Sequence, residues 1–523
     1  MNRLILCIVC FFVFTNADSQ GLSVKQFYVA YPRLSSFPQN FFTHNGYFYF
    51  VADNTSSNYL FRSDGTPAGT KVIPGMSYPI DFTFCKGLLL YTAWDSAANM
   101  QLWVSDSSLT HSKIVKKINP NGMSMYASTH LANIDDKIYF SANDGVHGYE
   151  PWVSDGTDTG TYMIKNINVT TGSDPAGFIK YNNKIYFVAN DFVSGRELWV
   201  TDGSDTGTHL FKDIMPGIDD SSPNIWQVFK NKLYFRVNGV SKFPGSNELW
   251  QTDGTDTGTH VALTICNFPS YPIGCSELNN RLLFTASLCN VGYRLYSWDG
   301  TDTGLVNLAP YSAVWGTSLF YKGKFLIGMK DSNGVNGLWM TDGTISGTSW
   351  LTNRFSNGGA APPLGIYDGR LYLRGNDGKN GLELWATDGT DSGTVKIPWN
   401  GPPIANPLSD THEAIVYDSM FFFPGFYDVN GVQLYTLGPQ DLQVKQHIAS
   451  HTKFSVYPNP TTGKFTVIPE DYISVSVANA WGSKILETEK SKIDIHQFPA
   501  GIYFLSIVDR KGAMQVLRIL KTD

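Results

Sequence analysis

The chain has 523 residues, a formal net charge of −6, 16% charged residues and 14% aromatic residues. That length exceeds one ordinary domain, and a composition rich in aromatic residues and glycine favours a β-rich protein with many turns. The charges form no basic stripe, which argues against nucleic acid as a partner. No apolar run after the first residues reaches transmembrane length, so we expect no transmembrane segment in the mature chain.

The N-terminus has the pattern of a secretory signal peptide over residues 1–19. Arg3 supplies the positive charge, and residues 4–14 form an apolar run too short to span a bilayer. Residues 17–19 form a small-x-small cleavage site, which would leave Gln20 at the mature N-terminus. Cleavage after Ala17 is the alternative. Either cut predicts an exported protein.

One short stretch recurs along most of the chain and is clearest at residues 197–208, ELWVTDGSDTGT. Leu, Trp and Val suit a buried strand, and Asp-Gly supplies the chemistry of a tight turn. A ninth, degenerate copy follows at residues 433–438. The turn aspartates lie 42 to 51 residues apart, at Asp64, Asp106, Asp155, Asp202, Asp253, Asp299, Asp342 and Asp388.

Each repeat contains four short strands, three tight turns and one longer connection to the next repeat. This order of strands and turns predicts an all-β fold, a β-propeller of eight or nine four-stranded blades over residues 20–445. A parallel β-helix is the second interpretation. The N-terminal segment Val24 to Tyr31 is an additional strand that could complete the last blade, in which case Leu442 to Ile448 is a linker strand. Residues 446–453 are the predicted linker.

The Asp-Gly-Thr turn allows two interpretations. In the first, the carboxylate accepts backbone N–H groups and closes a structural hairpin. In the second, two aspartates three residues apart contribute to a calcium site, which requires several converging oxygens. The first is favoured because the second aspartate is missing from some repeats. The calcium candidates are Asp155, Asp158, Asp202, Asp205, Asp253 and Asp256.

Aromatic residues fall into two groups. One tryptophan per repeat, as at Trp199, predicts packing between neighbouring blades. Aromatic residues outside the repeat pattern are better ligand candidates, although rim packing is favoured for these too. They are Trp94, Trp226, Trp315, Trp399, Tyr271 and Tyr427.

Two Asn-Asp-Gly loops, at residues 143–145 and 376–378, precede Glu150 and Glu383. Such loops could bind a cation or a sugar, but turn chemistry explains them equally well and is preferred.

Six cysteines are present, and four remain after the signal peptide. Export permits disulfide formation, so we expect one local bridge among Cys266, Cys275 and Cys289, whose pairing the sequence leaves open. Cys85 is distant from these and is predicted to be a buried thiol.

The repeats resemble the ELWxTDGTxxGT-type repeats of exported Bacteroidota proteins over roughly residues 40–440. Their turns are similar in place and composition to the Asp-box hairpins of sialidase-like propellers, which are structural.

Residues 454–523 resemble the type A C-terminal sorting domain of the type IX secretion system. The similarity includes the opening FSVYPNPTTGKF at residues 454–465 and FPAGIYF at residues 498–504. It implies a small antiparallel β-sandwich that directs export through the outer membrane to the cell surface or medium, with the secretion machinery as partner. The sorting-motif residues are Tyr457, Pro458, Asn459, Pro460, Gly463, Gly501 and Tyr503.

Within the propeller, the sequence contains no nucleophile elbow, H-E-x-x-H motif or phosphate loop. We therefore predict no catalytic residues and no cofactor, with calcium as the one candidate ion. The favoured function is a non-catalytic module that binds an extracellular glycan or protein. A carbohydrate-active hydrolase or lyase and a calcium-stabilised adhesin are the alternatives.

Overall fold

The structure is a computed structural model. It describes residues 22–522 except 29–35, 54–56, 74–76, 107–110, 127–129, 239–246, 264–272, 288–292, 302, 310–318, 331–335, 353, 356–359, 380–381, 398–413, 427–431, 440–453, 469–471, 480–483 and 510–513. The predicted signal peptide, the linker at 446–453 and the strand Leu442 to Ile448 lie outside the described residues.

The chain divides into two compact units. The larger comprises Leu22–Gly438, and the smaller contains Pro439–Asp523. The described residues of the larger unit form nine four-stranded antiparallel sheets, which confirms the predicted β-propeller architecture.

Eight of these blades each use four consecutive strands, and the ninth combines the N-terminal strand β1, Leu22–Tyr28, with the last three strands of the unit. Blades one and two contain β2 Gln39–His44, β3 Tyr47–Asp53, β4 Asn58–Ser63, β5 Lys71–Val72, β6 Ser77–Cys85, β7 Leu88–Trp94, β8 Met100–Ser105 and β9 Ser112–Ile114. Blades three and four contain β10 Ala132–Ile134, β11 Lys137–Asn143, β12 Tyr149–Ser154, β13 Tyr162–Met163, β14 Ala176–Tyr181, β15 Lys184–Asn190, β16 Arg196–Thr201 and β17 His209–Lys212.

The remaining blades repeat this order. Blades five and six contain β18 Asn224–Phe229, β19 Lys232–Asn238, β20 Asn247–Thr252, β21 His260–Val261, β22 Ile273–Leu278, β23 Arg281–Ala286, β24 Arg294–Trp298 and β25 Leu305–Ala309. Blades seven to nine add β26 Leu319–Tyr321, β27 Lys324–Lys330, β28 Asn336–Thr341, β29 Ser349–Thr352, β30 Ala360–Tyr367, β31 Arg370–Asn376, β32 Leu382–Thr387, β33 Val395–Lys396, β34 Ile415–Tyr417, β35 Met420–Phe426 and β36 Val432–Pro439.

The turn between the first and second strands has the same backbone in every blade. Both of its central residues have positive φ, as Asn182 (49°) and Asn183 (58°) do in blade four. This is the two-residue hairpin whose twist matches that of the flanking strands, and it favours Asn, Asp and Gly. The local sequence therefore determines where each blade reverses direction.

Neighbouring blades share apolar cores, and these cores continue around the ring. Between blades four and five, for example, Tyr186 and Leu198 pack with Leu233 and Phe235. The ring closes between blades nine and one, where Phe27 of β1 lies in one core with residues of both blades. The repeat tryptophans are buried in or beside these cores, as predicted: Trp103, Trp152, Trp199, Trp250, Trp339 and Trp385.

The smaller unit is a two-sheet sandwich, as predicted. A single core, which includes Phe465, Val477 and Leu505, contains residues from both sheets. One sheet contains β37 Ser455–Tyr457, β38 Lys464–Ile468 and β41 Lys492–Asp494. The other contains β39 Tyr472–Asn479, β40 Lys484–Thr488, β42 Gly501–Asp509 and β43 Met514–Lys521. In the part of the chain that the structure describes, no helix is long and apolar enough to cross a membrane.

Candidate functional site

The propeller has two chemically different faces. The turn face carries the hairpins between first and second strands and between third and fourth strands, such as residues 182–183 and 202–208 in blade four. The crossover face carries the loops between second and third strands, such as residues 191–195. It also carries the connections to the next blade, such as residues 213–223.

On the turn face, the first aspartate of each complete Asp-Gly turn is bonded inside its own hairpin. Asp202 Oδ1 accepts the Ser204 backbone N–H at 2.9 Å and its hydroxyl at 2.6 Å. The Thr201 and Thr208 hydroxyls lie 2.6 Å apart beneath the turn. The hydrogen bond from the Ser204 hydroxyl, with that from its N–H group, lowers the pKa of Asp202. Asp155 and Asp253 make the corresponding bonds.

The second aspartate of the turn pairs with a lysine of the preceding blade. Lys165 Nζ lies 3.0 Å from Asp205 Oδ1 and also donates to the Asp205 carbonyl. Lys212 makes the same two bonds to Asp256, at 2.8 Å for the carboxylate. Lys116 lies 3.8 Å from Asp158.

The six calcium candidates are thus divided between hairpin closure and ion pairs between blades. Among the described residues, no group of three or more His, Cys, Asp or Glu side chains is placed to hold a metal ion. Calcium binding at these turns stays a prediction.

On the crossover face, a buried glutamate holds the connection to the next blade. The Glu150 carboxylate accepts the backbone N–H groups of Ile167 (3.1 Å) and Asn168 (3.0 Å), together with the Ser173 hydroxyl. Glu150 is fully buried, and burial raises its pKa. This glutamate therefore positions backbone; it does not face solvent as a sugar or cation ligand would.

Blade four repeats this arrangement. Glu197 is also fully buried and accepts the N–H groups of Ile214 and Ser221, both at 3.0 Å, and the Ser221 hydroxyl. Burial raises the pKa of Glu197 to about 7. Gln101 in blade two and Gln433 in blade nine accept serine hydroxyls from equivalent strand positions.

Glu383, the second glutamate that follows an Asn-Asp-Gly loop, is bonded differently. Its carboxylate lies 2.9 Å from Lys396 Nζ, and Asp377 lies 3.4 Å from the same nitrogen. Blade eight therefore carries an ion-paired cluster at this position, and the crossover that follows it, residues 398–413, lies outside the described residues.

The loops after the second strand are built by the same turn in blades three, four and eight. In blade three, Asn143 Oδ1 accepts the N–H of Gly145, and Asp144 Oδ1 accepts that of Val146. Blade four reproduces both bonds within 0.1 Å, with Phe192 and Val193 as donors. The aspartates are therefore occupied by turn geometry, the interpretation that the sequence favoured.

Five large apolar side chains project from the crossover face of blades three and four. They lie on two loops after second strands and on the two following crossovers. Their exposed fractions range from 54% to 80%. We call these residues the apolar tips: Val146, Val169, Phe192, Val193 and Ile218.

Close backbone contacts bring these loops together. A Cβ on Gly148 would overlap the Thr171 carbonyl of the adjacent crossover, and one on Gly195 would overlap that of Asp219. The loop carrying Val146 thus lies against the crossover carrying Val169, and the next blade repeats the contact. Both glycines have positive φ, so the close approach and the turn both require a residue without a side chain.

Two aromatic pairs, each with one exposed member, lie at the same face of blades two and three. Trp94 is 37% exposed and its ring centroid lies 4.4 Å from that of Tyr78. Tyr126 is half-exposed and stacks on Tyr149 at 4.0 Å. Trp94 was among the aromatic candidates. The side chains of the others, Trp226, Trp315, Trp399, Tyr271 and Tyr427, lie outside the described residues.

Of the four cysteines that follow the signal peptide, the structure describes the side chain of Cys85 alone. Cys85 is a free, buried thiol that donates to the Asp136 carbonyl at 3.1 Å. Cys266 and Cys289 lie outside the described residues, as does the side chain of Cys275, so the predicted disulfide stays a prediction.

In the smaller unit, the sorting-motif residues connect its first turn to its last strand. Asn459 Nδ2 donates to the Arg518 carbonyl at 2.8 Å, and Asn459 Oδ1 accepts the Leu520 N–H at 3.0 Å. The peptide bonds preceding Pro458 and Pro460 are cis.

The two glycines and two tyrosines of the sorting motif lie in different environments. The Gly463 carbonyl accepts the Ile495 N–H at 2.7 Å, and Gly501 begins strand β42 with positive φ. Tyr503 is buried, and its hydroxyl donates to the Pro499 carbonyl. Tyr457 is 74% exposed.

Residues 455–521 match the family described as "Secretion system C-terminal sorting domain". The smaller unit therefore contains a type IX sorting domain, which indicates export to the cell surface or extracellular space. A search of curated proteins finds no match to this chain.

Among solved structures, oligopeptidase B from Leishmania major aligns with a TM-score of 0.38 and 8% identity, over 79% of this chain and 54% of that one. Prolyl oligopeptidase B from Galerina marginata aligns with a TM-score of 0.37 and 12% identity, over 68% and 56%. The β-propeller domain of the Trilobed protease from Pyrococcus furiosus aligns at 0.32 and 13%, over 61% and 98%. This chain spans just over half the length of the two whole peptidases, and identities this low concern the fold alone.

Proposed function

Since the chain ends in a secretion sorting domain, we propose that it is an exported binding protein of a Bacteroidota species. In this proposal the signal peptide directs passage into the periplasm, and the sorting domain directs passage through the outer membrane. The propeller then acts as a non-catalytic module that contacts an extracellular glycan or protein.

The observation that carries the binding role is the group of apolar tips. Single exposed apolar residues are common, but a cluster on adjacent loops of one face is typical of an interaction surface. The repeat carboxylates are bonded inside hairpins, between blades or under crossovers. The residues left to meet a ligand are therefore those that differ from blade to blade.

Export is tested by deleting residues 454–523 in the producing species. We expect the truncated protein to be retained inside the cell envelope while the full chain reaches the surface or medium. Immunoblots of cell fractions and medium measure this. A truncated protein exported at an undiminished level would contradict the export role.

The binding role is tested with the labelled full chain on a glycan array and on whole cells of the producing species. Replacing Val146 and Val193 by serine should lower saturable binding by about tenfold, because two contact residues are lost. Ile345→Ser is the matched control, since Ile345 is 65% exposed on the turn face of blade seven. Equal binding by both variants would contradict the placement of the site.

A further inference from the structure

The loops of blades three, four and eight share one turn, but one position in them differs. Blade three has Gly145 there, with a φ of 86°, and blade eight has Gly378, with a φ of 84°. Blade four has Phe192, with a φ of 59°. The N–H groups of all three residues donate to the preceding asparagine at 2.7 to 2.8 Å, so the three positions are structurally equivalent.

A phenylalanine in the left-handed region is unfavourable. Residues with a Cβ adopt positive φ at a cost of roughly 1 kcal/mol, and bulky residues rarely do so. Glycine adopts the same conformation without this cost. Blade four therefore carries backbone strain that its two equivalents avoid.

Burial of the aromatic ring does not offset this strain. Phe192 is 54% exposed, and neighbouring Val193 is 76% exposed. A strained residue that adds little to the core points to a role outside folding.

The loops around the apolar tips are strongly acidic. Residues 143–148, 166–174, 190–196 and 213–222 contain six aspartates, one arginine and no lysine. Arg196 already donates to the Asp174 carbonyl at 2.8 Å. Asp174, Asp219 and Asp220 are exposed, and Arg196 interacts with Asp174 and Asp220 as the one basic partner in these segments. The apolar tips are therefore bordered by net negative charge.

From these observations, and resting on the binding role proposed above, we propose that the apolar tips and their bordering aspartates bind a protein partner whose contact surface carries apolar side chains beside lysine or arginine. Apolar residues would form the centre of such an interface, and opposite charges would form its rim. Phe192 is the central contact residue, because aromatic residues are enriched among those that dominate binding energy.

Other occupants fit this surface less well. Four of the five apolar tips are valine or isoleucine, which offer a sugar ring neither hydrogen bonds nor an aromatic face, and Phe192 is the one tip with a ring. An anionic membrane would be repelled by the aspartates. A protein with basic and apolar side chains matches both properties of the surface.

The test uses the purified full chain and three labelled peptides of equal length in fluorescence anisotropy. One peptide combines lysine with leucine and phenylalanine, the second replaces lysine by glutamate, and the third keeps lysine but replaces the apolar residues by serine. We expect the first to bind at least about tenfold more tightly than either of the others. Anionic vesicles and a glycan array serve as the competing ligands.

Two variants connect this preference to the surface. Phe192→Gly should lower the affinity for the peptide of lysine, leucine and phenylalanine by about tenfold. Asp219→Asn should lower this affinity less and reduce the dependence of the affinity on salt, because one negative charge at the rim is removed. Ile345→Ser on the turn face should leave the affinity unchanged.

Thermal denaturation separates binding from folding. Phe192→Gly should leave the unfolding midpoint unchanged or raise it, since glycine occupies the equivalent positions of blades three and eight. A lower midpoint would show that Phe192 serves the fold and would overturn the proposal.

Equal binding of all three peptides, or unchanged peptide binding in Phe192→Gly, would also overturn it. Preference for a glycan at the same tips would overturn the partner chemistry and leave the binding role standing.

Discussion

The two faces of the propeller both use aspartate to shape turns, but they differ in what those turns present to solvent. On the turn face, Asp202 and its counterparts close hairpins, and Asp205 and its counterparts join neighbouring blades. On the crossover face, Asp144 and Asp191 shape loops whose apolar side chains point into solvent. The Asp-Gly turn of the turn face recurs in most blades, whereas the loop turn of the crossover face is shared by blades three, four and eight and differs among them at one position.

This difference separates residues that maintain the fold from residues available for function. A side chain required in every blade satisfies a need that every blade has. Phe192 departs from the glycine at its equivalent positions and gains little burial by doing so. Comparing blades with one another therefore identifies functional candidates within a single repetitive chain.

The largest expected effect comes from the turn face. In Gly207→Ala, the new Cβ would overlap the Asp202 carboxylate, so we expect the free energy of unfolding to fall by about 3 kcal/mol. Chemical denaturation measures it. The double variant with Asp202→Ala should lose less free energy of unfolding than the two single variants lose together, because the carboxylate that the new Cβ overlaps is absent. Additive losses would contradict this explanation.

The next effect comes from the buried glutamate under the crossover face. The pKa of Glu197 rises from its ordinary 4.5 to about 7 in the folded protein. The folded state thus binds the proton more tightly than the unfolded chain, and Glu197 contributes less stability as pH rises between these values. The stability advantage of wild type over Glu197→Gln should shrink by about 2 kcal/mol between pH 5 and pH 8.

Glutamine is a matched replacement, because Gln101 and Gln433 hold crossovers at equivalent positions in other blades. Asp213 is the nearby charge that adds to the rise in pKa, so Asp213→Asn is the companion variant. It should reduce the pH dependence of wild type without abolishing it. A wild type to Glu197→Gln difference that does not change with pH would contradict the assignment.

The smallest effect concerns the ion pairs between blades. Lys165 and Asp205 are 3.0 Å apart, but the aspartate side chain is 70% exposed. We therefore expect Lys165→Met to lower the free energy of unfolding by no more than about 1 kcal/mol. A double-mutant cycle with Asp205→Asn isolates the pair, and its coupling should fall in 1 M salt. A coupling above about 2 kcal/mol would show that the blades depend on these pairs.

Much of the fold follows from local sequence. The Asp-Gly turns, the two-residue hairpins and the alternating strands are short-range signals, so the four-stranded blades and the sandwich were predictable. Whether eight or nine blades form depends on how β1 pairs with β36, a contact between distant segments that no local pattern specifies.

The candidate site was less predictable. The sequence did not indicate that Asp205 and Asp256 form ion pairs, because their partners, Lys165 and Lys212, each belong to the preceding blade. The sequence associated Glu150 with the Asn-Asp-Gly loop that precedes it. Its hydrogen-bond donors instead lie on the crossover that follows. Phe192 was missed altogether. Aligning residues 143–148 with 190–195 would have shown that it replaces Gly145.

The closing strand β1 has a consequence for folding kinetics. Ser36, which follows β1, bonds to Val432 and Gln433, so the two ends of the ring meet across 396 residues of chain. Contacts of such long sequence separation form late, because the entropy of a very large loop opposes them. The ninth sheet therefore forms only after nearly the whole propeller sequence is available, and closure of the ring follows formation of the earlier blades.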